Sequence, residues 1–231
     1  MTLRRPLFFL LALCASHSWA TKDLAKDTVF LSKVVVDGKI VGVFIEPNRN
    51  SRQYQKLTYF QLDDFTAPSY QNSLDQLRER GLKLEKGRNI LPWRQWVSLE
   101  RYQGEFHAYK PCDFLFHYQW SINDTTLIDW TGEGPFAAKV LGRKKLDAKT
   151  YQLRYIGELD DQGTELTIHL VDPAKGIAVF RKVSSVKDTS YRLMIAADKI
   201  RSVPLIVNHC PTGKRNEFSF EDMDGKEWME K

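Results

Sequence analysis

The chain has 231 residues, of which 42% are hydrophobic and 12% aromatic, so it has enough apolar side chains for a sizeable core. Lys and Arg number 34 against 29 Asp and Glu, which gives a formal net charge of +5. This excess is small and interspersed, which argues against nucleic-acid binding, for which a concentrated basic face is typical. We therefore expect a globular protein with no nucleic-acid partner.

The first twenty residues have the pattern of a secretory signal peptide. Two arginines at positions 4 and 5 precede a short apolar run at 7–13, and Ser18-Trp19-Ala20 is a small-x-small cleavage site. The apolar run is shorter than the ~20 residues that span a bilayer, and no later run is long enough, so we predict no transmembrane segment. We predict cleavage after Ala20 and a periplasmic or secreted protein.

Cleavage would leave two of the three cysteines, Cys112 and Cys210. In an oxidising compartment we expect this pair to form a structural disulfide, because redox-active cysteines are usually closely spaced. Closing so long a loop stabilises a chain by about 4–5 kcal/mol in the chain-entropy model. Cys14 follows the bulky Leu13 within the signal peptide, which argues against a lipoprotein anchor at this cysteine.

The mature chain opens with a hairpin signal. Two segments rich in β-branched residues, Val29–Val36 and Ile40–Ile45, flank the dipeptide Asp37-Gly38. Asp-Gly adopts the positive φ angles of a type I′ turn, so the pattern predicts a β-hairpin. The polar, basic segment Asn48–Gln55 that follows predicts a loop.

The periodicity then changes from that of strands to that of a helix. Ser73 and Gln76 have the spacing of a capping box, and Gly81 is a stop signal. These signals predict one short helix near 73–86, within an insertion at about 63–92. Apolar side chains that recur at helical spacing are expected to dock this helix onto a sheet. They are Tyr70, Leu74, Leu77 and Leu84.

Trp93 and Trp96 lie beside Pro92 in a segment without clear periodicity. Tryptophan buries a large area at low entropic cost and is enriched at interfaces, so the pair is a candidate interaction surface. The alternative, which we favour, is that the two rings plug one end of the core.

The segment Phe114–Asn123 alternates strictly between the two faces of an extended strand. Apolar side chains occupy every second position, at Phe114, Phe116, Tyr118, Trp120 and Ile122. This alternation predicts a half-buried strand with an aromatic inner face. Further short strands follow between turn residues, near 125–130, 136–141, 146–156, 166–170, 177–183, 191–195 and 203–207.

A series of short strands at regular intervals predicts a mainly β protein built as an antiparallel meander. Closure into a full or partial barrel would remove its exposed edges. We expect one β domain over 21–210 and a polar, solvated C-terminal tail over 211–231. In that tail a calcium loop is excluded, because Phe220 would be the first ligand and Lys231 would replace the bidentate Glu.

The meander, the export signal, the distant cysteine pair and the lone helix resemble lipocalin-like barrels in architecture. The Gly-x-Trp signature of that family is missing, and Gly42-Val43-Phe44 stands where it is expected. The resemblance is therefore one of architecture, and architecture does not carry a function with it.

Catalytic and metal-binding motifs are weak in this sequence. It contains no Gly-x-Ser-x-Gly elbow, no phosphate-binding glycine loop and no His-Glu-x-x-His motif, and its histidines lack ligand spacing, so we expect no cofactor and no metal. Asp129 and Glu133 flank Trp130, and a carboxyl group beside an indole is a candidate sugar-binding or acid–base group. With Asp160 they are the basis for a hydrolase-type enzyme, the weakest of three hypotheses.

The leading hypothesis is a non-catalytic protein that holds an apolar or amphipathic small ligand inside the barrel. Its candidate lining residues are Phe116, Tyr118, Trp120, Ile128, Trp130, Tyr151 and Tyr155. The alternative is a protein-binding module of the envelope, such as an inhibitor, an immunity protein or an assembly factor, with Trp93 and Trp96 as anchors. Sequence alone does not distinguish a hollow barrel from a filled one.

Overall fold

The computed structural model describes residues 28–113, 115, 118–157, 162–184, 186, 188–213 and 215–229. The protein is mainly β, with 46% strand and 16% helix. The strands are β1 Val29–Val36, β2 Lys39–Glu46, β3 Gln95–Tyr102, β4 Glu105–Lys110, β5 Gln119–Ile122, β6 Thr126–Thr131, β7 Gly134–Lys145, β8 Thr150–Ile156, β9 Thr164–Asp172, β10 Ile177–Val183, β11 Thr189–Ala196 and β12 Leu205–His209. The helices are α1 Arg52–Leu57, α2 Ala67–Glu79 and α3 Gly225–Met229, with a 3₁₀ helix at Ala197–Ser202.

Eight strands close into an antiparallel barrel, as the meander pattern predicts. Their order is β3-β11-β10-β9-β8-β7-β6-β5, and β5 pairs back onto β3 to complete the ring. The other four strands, β1, β2, β12 and β4, extend the sheet from β3, and within this extension β12 runs parallel to β4. Strand β3 therefore belongs to both parts: Gln95–Val97 pairs with β5, and Leu99–Tyr102 pairs with β4.

The predicted hairpin is confirmed. β1 and β2 pair antiparallel, with Val36 opposite Lys39, and the two turn residues Asp37 and Gly38 have φ values of 50° and 72°. Two consecutive positive φ angles are what a type I′ turn requires, and they match the right-handed twist of the strands.

The barrel interior is largely filled by apolar side chains. The rings of Trp96 and Phe180 lie 5.1 Å apart, and those of Trp120 and Phe180 lie 5.6 Å apart. One end is closed by the segment before β3, where Leu91 and Trp93 pack onto this cluster. A second core covers the outer faces of β3, β10 and β11.

The two helices that follow the hairpin differ from the prediction. The segment predicted as a polar loop contains α1, because its Tyr54 and Leu57 side chains are buried against the second core. The predicted helix near 73–86 is α2, which begins earlier and ends at Glu79, with Gly81 at φ 71° just beyond it. Ser73 is therefore not a cap: it lies within α2, fully buried, and its hydroxyl accepts a hydrogen bond of 2.9 Å from the Ala137 amide of β7.

The predicted central strand is shorter than the alternation suggests, since β5 contains only Gln119–Ile122. Phe114, Phe116 and His117 lie outside the described residues. The polar face of β5 is also buried: the Gln119 side chain donates 2.6 Å to the Leu57 carbonyl of α1, which covers this part of the barrel. Because both faces of β5 are covered, neither of them faces solvent. The strand predicted to be half-buried is therefore buried on both sides.

Cys112 and Cys210 form a disulfide as predicted, with sulfur atoms 2.08 Å apart. The chain beyond Cys210 was expected to be a polar, solvated tail; many of its residues are exposed, but residues 217–229 also make specific contacts with the rest of the protein. The Glu217 carboxylate accepts hydrogen bonds from the amides of Cys112 and Asp113, at 3.2 and 2.6 Å, and from the Tyr109 hydroxyl. Phe220 then packs against Tyr109, with centroids 4.7 Å apart. We call residues 217–229 the strap.

No helix among the residues described above is both long enough and apolar enough to cross a membrane.

Candidate functional site

The predicted lining residues fall on two different faces of the barrel. Tyr151 and Tyr155 belong to the interior cluster, and Trp120 packs against it. Trp130 lies on the outer face of β6, where its indole donates 2.8 Å to Ser121 and its ring meets Phe60 at 5.8 Å.

The predicted inner face of β6 is therefore the outer one. Ile128 lies opposite Ala137, whose amide is bonded to α2, while Leu127 belongs to the interior cluster. Successive side chains of a strand point to opposite faces, so an error of one position exchanges the inner residues for the outer ones. In β6 it is therefore Asp129 that faces inward. Phe116 lies outside the described part of the chain.

The interior becomes polar at the end of the barrel opposite Trp93. A cavity of about 140 Å³ opens there, which we call the mouth cavity. Its lining combines aromatic and charged side chains: Tyr118, Trp120, Asp129, Phe180, Lys182, Ser190, Arg192 and Met194. Directly opposed residues of neighbouring strands share a face, and the pairs Trp120–Asp129, Phe180–Arg192 and Lys182–Ser190 bring these groups together.

The floor of the mouth cavity is aromatic and its size is limited. Trp120 and Phe180 contact each other, and Trp96 fills the space below Phe180. An engineered apolar cavity of roughly 150 Å³ binds benzene, whereas drug-sized ligands occupy roughly 300–1,000 Å³. The mouth cavity is thus large enough for one six-membered ring or a comparable group, with the rest of a larger ligand outside.

Asp129 is the one carboxylate among the described residues that line the cavity. Burial raises its pKa, while a hydrogen bond from the Trp120 side chain and the charges of Lys182 and Arg192 lower it. Its Oδ1 atom is shielded from solvent and accepts no hydrogen bond from any described residue. A buried acceptor without a donor is costly, so this atom is a natural partner for a ligand N–H or O–H group.

The two cations of the mouth are held differently. The Arg192 guanidinium lies 3.4 Å from the centroid of the Tyr118 ring, a cation–π contact that fixes its plane. Such stacking leaves the in-plane N–H donors of arginine free to bind. Lys182 has no carboxylate within salt-bridge distance among the described residues, and its charge reaches Asp129 only through space.

Arg192 also lines a second cavity of about 360 Å³ on the other side of the barrel wall. The wall is incomplete here, because β11 pairs with β3 only from Met194 to Ala196 and the two strands then diverge. The strap covers this gap: the Glu221 amide donates 3.0 Å to the Arg101 carbonyl of β3, and its carboxylate pairs with the Arg101 side chain at 3.3 Å. Burial raises the pKa of Glu100, which lies in the gap, while the charge of Arg192 opposes that shift.

The remaining predicted residues do not join the mouth. Trp96 is fully buried and Trp93 packs edge-on against it at 5.8 Å, in agreement with the plug interpretation. Glu133 lies in an exposed turn, and Asp160 falls outside the described residues. Within the described ranges, no three His, Cys, Asp or Glu side chains are grouped to hold a metal ion.

Sequence reasoning missed Lys182, Ser190 and Arg192. Their signal is nonetheless present: Lys182 stands two positions after the interior Phe180, and Arg192 two positions before the interior Met194. A charged residue in register with the inner face of a strand marks a polar end of the barrel interior. That signal becomes visible only when the inner face of each strand is known.

Comparisons with known proteins do not assign a family. No protein-family model matches the chain, and no curated protein or solved structure is significantly similar to it. The functional argument therefore depends on the geometry of the mouth.

Proposed function

We propose that this protein is an exported, non-catalytic binding protein that holds an amphipathic small ligand at the mouth of its barrel. The observation that carries the proposal is the mouth cavity, in which an aromatic floor lies beside the unpaired Oδ1 atom of Asp129 and the donors of Lys182 and Arg192. Apolar lining with a few convergent polar groups is the usual composition of a small-molecule site.

The filled interior limits how this ligand binds. Because Trp96, Phe180 and Trp120 occupy the centre of the barrel, the ligand inserts one end at the mouth rather than being enclosed. Export is supported by the signal-peptide pattern of the first twenty residues and by the Cys112–Cys210 pair, which would persist in an oxidising compartment.

Native mass spectrometry of the protein purified from its producing cells tests this proposal. We expect an added mass that disappears on denaturation, together with a mature chain that begins at Thr21. Trp120→Ala should abolish the added mass, whereas Trp228→Ala, in the strap, is the matched control and should retain it. An added mass that survives Trp120→Ala would place the ligand elsewhere and refute the proposed site.

A second candidate function, protein binding in the envelope, is favoured by one surface feature. Tyr59, Leu62 and Phe65 are all exposed after α1, and Phe65 is 88% exposed. Asp63 fixes this turn by accepting hydrogen bonds from the amides of Phe65 and Thr66, at 3.1 and 2.9 Å. An exposed aromatic ring on a turn fixed by hydrogen bonds is typical of an interface anchor.

This candidate is tested by pull-down from a cell-envelope extract. A partner that is captured by wild type, lost with Phe65→Ser and retained with Leu146→Ser, a control at another exposed apolar residue, would support it. Equal capture by both variants would exclude Phe65 as the anchor.

A further inference from the structure

We propose that the mouth cavity is specific for a hydroxylated organic anion with a ring-sized apolar part. This inference rests on the proposed binding function and adds the chemical class of the ligand. Three observations carry it: two cations that pair with no described carboxylate, one carboxylate oxygen without a donor, and an aromatic floor.

The cations account for the negative charge of the ligand. Lys182 and Arg192 both line the cavity, and neither has a described carboxylate at ion-pair distance. Arg192 is fixed in plane by Tyr118, so its N–H donors are oriented before a ligand arrives. Charge-assisted hydrogen bonds from arginine and lysine to carboxylate, sulfate or phosphate oxygens are stronger than neutral ones, so the anionic group of a ligand would bind here.

Asp129 accounts for the hydroxyl group. Its Oδ1 atom lacks a donor, whereas Trp120 already donates to the same carboxylate, so one acceptor position is left. A ligand O–H group would fill that position, and a ligand without one would leave the buried oxygen unpaired. Sites built to hydrogen-bond a hydroxyl discriminate strongly against analogues that lack it, for this reason.

The floor accounts for the apolar part. Trp120, Phe180 and Met194 line the cavity, and its volume of about 140 Å³ is close to that of the engineered cavity that binds benzene, roughly 150 Å³. A substituted six-membered ring would stack on Trp120 while its charged group remains near the entrance. The geometry therefore favours ligands of the size of a hydroxybenzoate, or a larger molecule that ends in such a group.

The test uses calorimetric titration of the full mature chain with 3- and 4-hydroxybenzoate, benzoate, 4-hydroxybenzamide and 4-hydroxybenzylamine. We expect a hydroxybenzoate to bind most tightly, benzoate roughly tenfold more weakly, and the neutral and cationic probes more weakly still. Lys182→Gln should weaken hydroxybenzoate binding by roughly tenfold or more, and Asp129→Ala should remove the preference over benzoate. Lys144→Gln, on the exposed side of β7, is the matched control.

The outcomes separate the two proposals. Binding of the neutral or cationic probe as tight as that of the hydroxybenzoates would refute the anion class and leave the binding function standing, provided Trp120→Ala abolishes it. Absence of binding by every probe at millimolar concentration would overturn the ligand class, whereas the binding function itself would be overturned only if native mass spectrometry also showed no added mass. The probe series is measured on wild type, so the ranking of the probes does not depend on the folding of any variant.

Discussion

The carboxylate of Glu217 offers the sharpest test of how the strap is held. It accepts hydrogen bonds from the amides of Cys112 and Asp113, from the Asn208 side chain at 3.1 Å and from the Tyr109 hydroxyl. Asn208 and Tyr109 are both buried, so neither can turn to solvent when the carboxylate is lost.

We therefore predict that Glu217→Ala destabilises the protein substantially. One hydrogen bond to a charged group contributes about 1.5–3 kcal/mol, and the four bonds share one acceptor and are not additive. We expect a decrease of about 3 kcal/mol in the free energy of unfolding, measured by urea denaturation with the disulfide intact. The strap should also become sensitive to limited proteolysis before the barrel does.

The control is Glu85→Ala, which removes an exposed glutamate and should change the free energy of unfolding by less than about 0.5 kcal/mol. If Glu217→Ala lost less than about 1 kcal/mol, with no earlier cleavage of the strap, then Glu217 would not be its anchor.

Three further predictions follow from single contacts. Burial raises the pKa of the Asp129 carboxyl above its ordinary value, so this carboxyl holds its proton more tightly in the folded than in the unfolded protein. Wild type therefore loses stability as pH rises from acidic values through the raised pKa, and the free energy of unfolding of Asp129→Asn should increase relative to wild type over the same rise in pH. If urea denaturation gave a difference in free energy of unfolding between Asp129→Asn and wild type that did not change with pH, the raised pKa of Asp129 would be contradicted. Ser73→Ala leaves the buried Ala137 amide unpaired and should cost about 1–3 kcal/mol in chemical denaturation, whereas a neutral result would show that water replaces the hydroxyl. Gly225→Ala would place its Cβ 2.1 Å from the Tyr191 Cβ and should detach α3, seen as faster amide exchange in α3; unchanged protection there would refute this.

The sequence was sufficient to predict those features whose conformation is decided by neighbouring residues. The Asp37-Gly38 turn has the positive φ values that only a few residue types adopt, so its hairpin could be predicted directly. The cysteine pair followed from the number of cysteines left after the predicted cleavage, and the antiparallel meander from the repeated short strands.

The site was less predictable, because Lys182, Ser190 and Arg192 belong to no motif that the sequence alone reveals. Alternation in β6 shows two faces without saying which is inside, and both faces of β6 are covered, one by the interior and one by α2 and Phe60. Trp130 was therefore predicted to line the interior, whereas it is Asp129 that does so. Where both faces of a strand are buried, hydrophobicity no longer distinguishes them.

The sequence by itself determined the β class, the hairpin, the helix stop at Gly81 and the pairing of Cys112 with Cys210, because each depends on backbone preference or on a count. Only the tertiary structure decided that Lys182, Arg192 and Asp129 share one mouth, and that the strap covers the gap between β3 and β11. These residues lie on different strands, so their meeting depends on register and on closure of the ring. No local propensity encodes that closure: it is set by the packing of the whole barrel.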